Sequence, residues 1–223
     1  FSGDQAFLGA IMFRLIALLG IGLMVWAVPR LARQHGISEA KVMWLTVANP
    51  LVIMHFVAGA HNDALMVGLL LAGLAIAGNG YALAGAGLVG LAASVKPIAL
   101  LALPFVGLIR SGTVASLGRR VVDWILVTVA AVVAFGATSL LTGTGLGWIS
   151  SLSAPGEVKT WLSPPTALGM IVGGILQLLG LADSNDAAVA VFRLIGLAVS
   201  LMIVAYLCLR PQGRSAVRGC ALA

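Results

Sequence analysis

The sequence predicts an all-α fold, a polytopic transmembrane helix bundle of about seven or eight membrane segments. Hydrophobic residues make up 61% of the 223 and charged residues only 9%, against about a quarter charged in a typical soluble domain. Mean hydropathy is +1.10, so too little polar surface is available to face water on all sides. The apolar residues also fall into successive stretches separated by short polar or proline-bearing corners.

A helix needs about 20 apolar residues to cross a bilayer. In chain order the candidate segments are 7–28, 42–58, 64–78, 82–95, 97–109, 121–141, 166–182 and 187–208. The first is long enough by itself and carries Arg14. The second contains Asn49-Pro50 and His55, and its proline predicts a kinked or broken helix, tolerated where backbone lines a cavity. The third and fourth are short and rich in small residues, and the fifth is opened by Pro97 and interrupted by Pro104. The sixth is long and apolar. The seventh follows Ser163-Pro164-Pro165, and the eighth ends at Cys208. Gly85, Gly87, Gly90, Gly169, Gly173 and Gly174 predict close helix packing. No internal repeat or low-complexity linker divides the chain. It is read as one transmembrane domain, 1–223, and, since it opens on Phe1, as an internal fragment of a longer chain.

Basic residues orient the segments. The net charge is +6, and Arg30, Arg33 and Lys41 share one loop while Arg110, Arg119 and Arg120 share another. Both loops are expected on the cytoplasmic side. Residues 1–6, the His61-Asn62-Asp63 turn, Lys96 and the 142–165 loop then fall on the extracytoplasmic side. Eight crossings would put Arg210, Arg214 and Arg218 outside as well. If 166–182 dips in and returns, or lies in the interface, the tail moves inside, and this seven-crossing arrangement is preferred. Excess positive charge points to anionic lipid, and nucleic acid is not an expected partner. Cys208 and Cys220 have no metal-ligand spacing.

The unusual residues gather on the predicted outer face. Asn62-Asp63 suits a helix cap, and the same Asp63 is placed to hold a sugar hydroxyl or a metal, with His61 beside it as either an interface residue or a ligand-binding one. Lys96, immediately before Pro97, either snorkels to the interface or serves as a cation for phosphate. Arg14 and Arg193 lie about 10 Å inside the outer boundary at 1.5 Å rise per residue, where a lone arginine costs at least ~2.5–3.5 kcal/mol. An ion pair with an aspartate would satisfy Arg14; contact with a lipid-linked phosphate is the sharper alternative. Trp148 and Trp161 suit an interfacial belt. Lys159-Thr160-Trp161 before Ser163-Pro164-Pro165 predicts a short helix along the membrane, a platform for a sugar ring and its phosphate.

No other chemistry competes. The chain lacks a Gly-rich strand-to-helix loop for nucleotides, a His-x-x-x-His or Cys-x-x-Cys metal pattern and a Gly-x-Ser-x-Gly turn. No cofactor is expected, and no spacing supports a divalent metal near Asp63. The rivals are a transporter or lipid flippase, which would hold its polar site near the midplane, and a non-catalytic membrane scaffold.

"NPLVIMHFVAGAHNDALMVGLLLAG", "GLAASVKPIALLALPF" and "VKTWLSPPTALG", in this order, resemble the actinobacterial polyprenol-phosphate-mannose-dependent α-1,6-mannosyltransferases. These are GT-C type integral-membrane glycosyltransferases of lipomannan and lipoarabinomannan assembly. The resemblance implies a polyprenyl-phosphate-mannose donor, a mannan-type glycolipid acceptor and an active face outside the plasma membrane. It implies Lys96, Arg14, Arg193 and Lys159 as phosphate-binding residues and His61, Asn62, Asp63 and Trp161 as sugar- or acceptor-binding ones. The aspartate usually assigned as base lies in the first outer loop of such enzymes, which this chain reaches at most near Asp4. The base is therefore unknown, with Asp63 an outside candidate.

Overall fold

The computed structural model describes residues 6–59, 62–112, 114–143, 159–181 and 183–209, and among these the chain is helical with no strand. The helices are α1 (Ala6–Gln34), α2 (Glu39–Leu45), α3 (Pro50–Val52), α4 (Asp63–Gly78), α5 (Ala82–Val95), α6 (Leu103–Ser111), α7 (Leu117–Thr142), α8 (Pro164–Leu178) and α9 (Asp186–Leu209). A π-helical turn, Ile53–Ala58, follows α3, and a 3₁₀ helix, Pro97–Ala102, leads into α6. They form two compact units, one holding α1 to α7 and the other α8 and α9.

Three described helices are long and apolar enough to cross a membrane: the one running to Gln34, Leu117–Thr142 and Asp186–Leu209. Their outward faces carry exposed Leu15, Leu18 and Leu19 on α1, Val129, Val132 and Val133 on α7, and Leu194, Ile195 and Leu201 on α9. Such faces suit hydrocarbon. The segment expected at 42–58 is a broken one, with Glu39–Leu45 and Pro50–Ala58 meeting at 47°. Asn49 causes the restart: its side chain accepts the Leu51 backbone N–H at 3.0 Å just ahead of Pro50. The remaining apolar helices, α4, α5, Pro97–Ser111 and α8, are shorter. At 16 residues, α4 rises only about 24 Å, less than a hydrocarbon core of about 30 Å. Among the described residues, length and apolarity by themselves support three crossings, or four with the bent pair, and leave the shorter helices short of a full span.

The first unit is built by backbones in close approach. A Cβ on Gly20 would lie 2.2 Å from the Ala64 carbonyl carbon, and one on Gly68 would lie 2.4 Å from the Gly20 oxygen. Further along, the Gln34 amide donates to Ala75 O and Asn79 Oδ1. The two helices thus run parallel, with Arg14 beyond the Asp63 end. Gly73 and Gly85 seat α4 antiparallel on α5, and Gly90 seats α5 on the Ala131 backbone of α7. The turn from α4 to α5 needs Gly80, whose φ of 96° lies in a region that side chains avoid. The core between these helices is Leu74, Ala86, Val89, Val106, Val127 and Ala131.

The small-residue expectation is corrected in two places. Gly87 has nothing nearer than 3.9 Å and Gly174 nothing within 4 Å, whereas Gly20, Gly68, Gly73, Gly78, Gly107 and Gly196 make tight contacts that sequence inspection missed. A glycine's role depends on which way its helix face turns, and periodicity alone does not reveal that.

Arg30 and Arg33 belong to α1, not to a loop, because α1 continues through Pro29. Arg30 folds over the Trp26 ring at 4.2 Å, and Arg33 pairs with Glu39 at 2.9 Å. At the same end of the unit, Asp123 is fully buried and held by Arg110 at 2.7 Å and Arg119 at 3.0 Å. The basic loop contains a built ion cluster as well as its expected excess charge.

Candidate functional site

Proline shapes the corner that carries Lys96. The residue before a proline is pushed out of the helical region, and Lys96 has φ −147° and ψ 124°. This ends α5 and turns the lysine side chain back across the start of α4. There its ammonium forms an ion pair with Asp63, the first residue of α4. The side chains are 43% and 26% exposed, so the pair is open to a ligand. An exposed pair of this kind stabilises by only about 0.2–1 kcal/mol, which leaves the ammonium free to exchange partners. Nearby, Ser94 and Thr138 hydroxyls bond at 2.8 Å and tie α5 to α7.

Asn62 occupies the cap position of α4, but its side chain makes no capping bond; its carbonyl accepts from Leu65 and Met66 instead. Asp63 faces Lys96. The expected Asn62-Asp63 cap is therefore a backbone one. His61 lies outside the described residues, as do Asp4, Trp148 and Arg210 onward. Arg14 is exposed on α1 and makes no ion pair with a described residue. Six residues before Gly20, it stands about 9 Å beyond the α1–α4 contact at 1.5 Å per residue, at the end that bears Asp63 and Lys96. Asp63 and Lys96 sit at helix ends, Asp63 at the start of α4 and Lys96 just past the end of α5.

The second unit holds the other candidates. Lys159 donates to Asn185 Oδ1 at 2.6 Å and pairs with Asp186 at the start of α9. Trp161 is 62% exposed. Residues 159–163 are extended chain and turn, not the short surface helix expected from Lys159-Thr160-Trp161; Pro164 and Pro165 disfavour helical geometry just ahead of them. Arg193 is half-buried and donates from Nε to Thr166 Oγ1 at 3.0 Å. Sequence reading missed Thr166, and its burial at 1% exposure has no signal in a helix so generally apolar.

Two cavities accompany these residues. One, about 370 Å³, opens at the bend and is lined by Met24, Leu45, Thr46, Asn49 and His55 among others. The second, about 270 Å³, includes Thr160, Ser163, Thr166 and Arg193 in its walls. Among the described residues no three His, Cys, Asp or Glu side chains converge on a point that could hold a metal.

Residues 1–112 match the family described as alpha-(1→6)-mannopyranosyltransferase, N-terminal domain. The chain belongs to this family. It is 34% identical, over 98% of its length, to alpha-(1→6)-mannopyranosyltransferase A of Mycobacterium tuberculosis. It is 31% identical, over 93%, to a second alpha-(1→6)-mannopyranosyltransferase of that organism. With alpha-(1→6)-mannopyranosyltransferase A of Corynebacterium glutamicum it shares 30% identity over 99% of its length. The matched regions cover 44%, 44% and 49% of these relatives, so the chain spans about half their length. No solved structure matches it significantly. The family match runs through both Asp63 and Lys96.

Proposed function

We propose that the protein transfers mannose from polyprenyl-phosphate-mannose to the 6-hydroxyl of a mannan-type glycolipid acceptor on the extracytoplasmic side of the plasma membrane. The observation that carries this reading is the Asp63–Lys96 ion pair at one end of the first unit, in a chain of a mannosyltransferase family. In the reaction the anomeric C1–O bond to phosphate breaks and a C1–O6 bond forms. The acceptor proton passes to a carboxylate base, and polyprenyl phosphate leaves with its charge already on oxygen. No general acid is needed, and a cation beside that oxygen stabilises the departing charge.

Lys96 supplies that cation. Asp63 holds the ammonium in place until the donor phosphate takes it over, and the freed carboxylate turns to sugar hydroxyls alongside Asn62 and His61. Arg14, on the same end, approaches the phosphate from the lipid side. In the second unit, taken by itself, Lys159 and Arg193 are suited to phosphate and Trp161 to a sugar ring.

The decisive experiment supplies labelled polyprenyl-phosphate-mannose to membranes carrying the protein and follows mannose into a mannan acceptor. Incorporation that disappears in Lys96→Ala membranes at equal protein level supports the reading. Wild-type membranes that move the intact lipid between leaflets without transferring sugar would replace it with a flippase.

A further inference from the structure

Two arginines share one buried carboxylate where α6 ends and α7 begins. Arg110 donates from Nε to Asp123 Oδ1 at 2.7 Å, and Arg119 donates from Nε to Asp123 Oδ2 at 3.0 Å. Asp123 is fully buried, while the arginine side chains are 29% and 61% exposed. Neither guanidinium makes another hydrogen bond or ion pair with the described residues. An arginine carries five N–H groups in one plane, so the outer Nη groups of both forks have donors to offer. One carboxylate against two guanidinium groups also leaves a net positive charge. The first turn of α7 adds to it. That turn holds no acidic residue and carries Arg120 beside Arg119, at a helix end whose own N–H groups favour anions.

The corner is firmly held. Trp124 donates from Nε1 to Pro104 O at 2.9 Å, and a Cβ on Gly107 would lie 2.1 Å from Trp124 Cδ1. These contacts fix α6 against α7 within a turn of Arg110 and Asp123. Position then selects the ligand. Thr138 of α7 bonds Ser94, two residues before Lys96, and it follows Asp123 by fifteen residues, about 22 Å along the helix. The arginine corner is thus at the opposite end of the first unit from Lys96. α7 is a candidate membrane span, and its surface changes character at Asp123. Arg119 and Arg120 precede it, and exposed Ile125, Val129, Val132 and Val133 follow. Val114 and Leu117 are exposed on the loop side. A step from hydrocarbon-facing valines to guanidinium forks matches the level of headgroup phosphates in a bilayer, and apolar neighbours on both sides suit a lipid better than a soluble polyanion.

The geometry points to a binding site for the phosphate of an acidic phospholipid headgroup at the α6–α7 corner, in the leaflet away from Lys96, with Arg110 and Arg119 as its donors and Asp123 as the residue that positions both forks. Arginine's planar fork suits phosphate oxygens in pairs, and a headgroup of net negative charge meets the positive charge that Asp123 leaves over. This lipid is neither donor nor acceptor in the proposed transfer, so the loss of either reading leaves the other intact.

Native mass spectrometry of the protein in neutral detergent, titrated with phosphatidylglycerol or phosphatidylcholine, tests the site. Phosphatidylglycerol is expected to bind severalfold more tightly. Arg119→Gln should weaken the first phosphatidylglycerol binding event about tenfold, the scale of a lost charge-assisted hydrogen bond. Arg119→Lys keeps the charge but offers one nitrogen in place of a fork, and should weaken it severalfold. Arg33→Gln is the control for charge alone. Arg33 lies at the same end of the unit and pairs with Glu39, and its loss should leave binding nearly unchanged. If Arg119→Gln does not fold, Arg119→Lys against wild type decides the matter. Equal weakening by Arg33→Gln and Arg119→Gln makes the attraction diffuse and overturns the inference, as does equal binding by Arg119→Lys and wild type. Equal binding of the two lipids overturns it too. Displacement of phosphatidylglycerol by millimolar inorganic phosphate assigns the corner to a soluble anion and likewise overturns it.

Discussion

The ammonium of Lys96 and the carboxylate of Asp63 meet where α5 ends and α4 begins, and Pro97 is the reason they can. Without the extended residue that a following proline imposes, α5 would continue and carry the lysine past the turn. The pair is half-open and weakly stabilising, so its chemistry can be separated from its structural role by measurement.

Lys96→Ala is expected to lower mannosyl transfer from the lipid donor by about 10²-fold, the lower range for removing one group that stabilises developing charge. Lys159→Ala should cause a smaller loss, because that lysine is already held by Asn185 and Asp186. Initial rates with labelled donor check both, and an unchanged rate in Lys96→Ala removes its phosphate role.

Asp63→Asn should change stability by no more than about 1 kcal/mol, as for exposed pairs generally, while lowering transfer. Unfolding in detergent and initial rates are compared on the same preparation. A large stability loss would make the pair a structural bolt rather than part of a binding site.

Asp123 is the opposite case. It is completely buried between Arg110 and Arg119, and its removal takes away both charge-assisted hydrogen bonds, each contributing about 1.5–3 kcal/mol, although the two arginines, 29% and 61% exposed, can turn to water. Asp123→Ala should therefore sharply lower the unfolding midpoint.

Glycine substitutions should divide by packing. Gly90→Ala would put a Cβ 2.2 Å from the Ala131 oxygen and should destabilise by about 1–3 kcal/mol, as overpacking does. Gly174→Ala meets nothing and should be neutral or stabilising by about 0.5–1 kcal/mol through helix propensity. Thermal unfolding of the two variants side by side is the check.

Sidedness has its own test. With Cys208 and Cys220 replaced by serine, single cysteines at Asn62 and Lys96 should react with an impermeant maleimide from outside cells. Cysteines at Ser38 and Ser116 should react only after permeabilisation. Labelling of Asn62 and Lys96 from opposite sides would contradict the ion pair itself.

Much of the fold could be read along the chain. Apolar runs locate α1, α7 and α9 because each is long enough to bury its backbone polar groups in its own hydrogen bonds. Pro50 and Pro97 announce the break and the corner for the same local reason: proline removes a donor and restricts its neighbour wherever it occurs. Lys96 and Arg193 attract attention because charge inside an apolar run is costly in any fold. Asp123 passed unnoticed near the start of such a run, since its two arginine partners looked like ordinary loop charges. Thr166 was equally silent, because a threonine in an apolar helix carries no mark of the guanidinium it orients.

An all-helical membrane protein, its breaks and its costly charges follow from composition and proline stereochemistry, which act over a few residues. That Lys96 faces Asp63, that Arg110 and Arg119 share Asp123, and which glycines are contacts emerge from helix packing alone. Those outcomes depend on the rotation of each helix about its axis and on its register against the next. Both are set by backbones approaching at Gly20, Gly68 and Gly90, across distances in sequence that no local pattern spans.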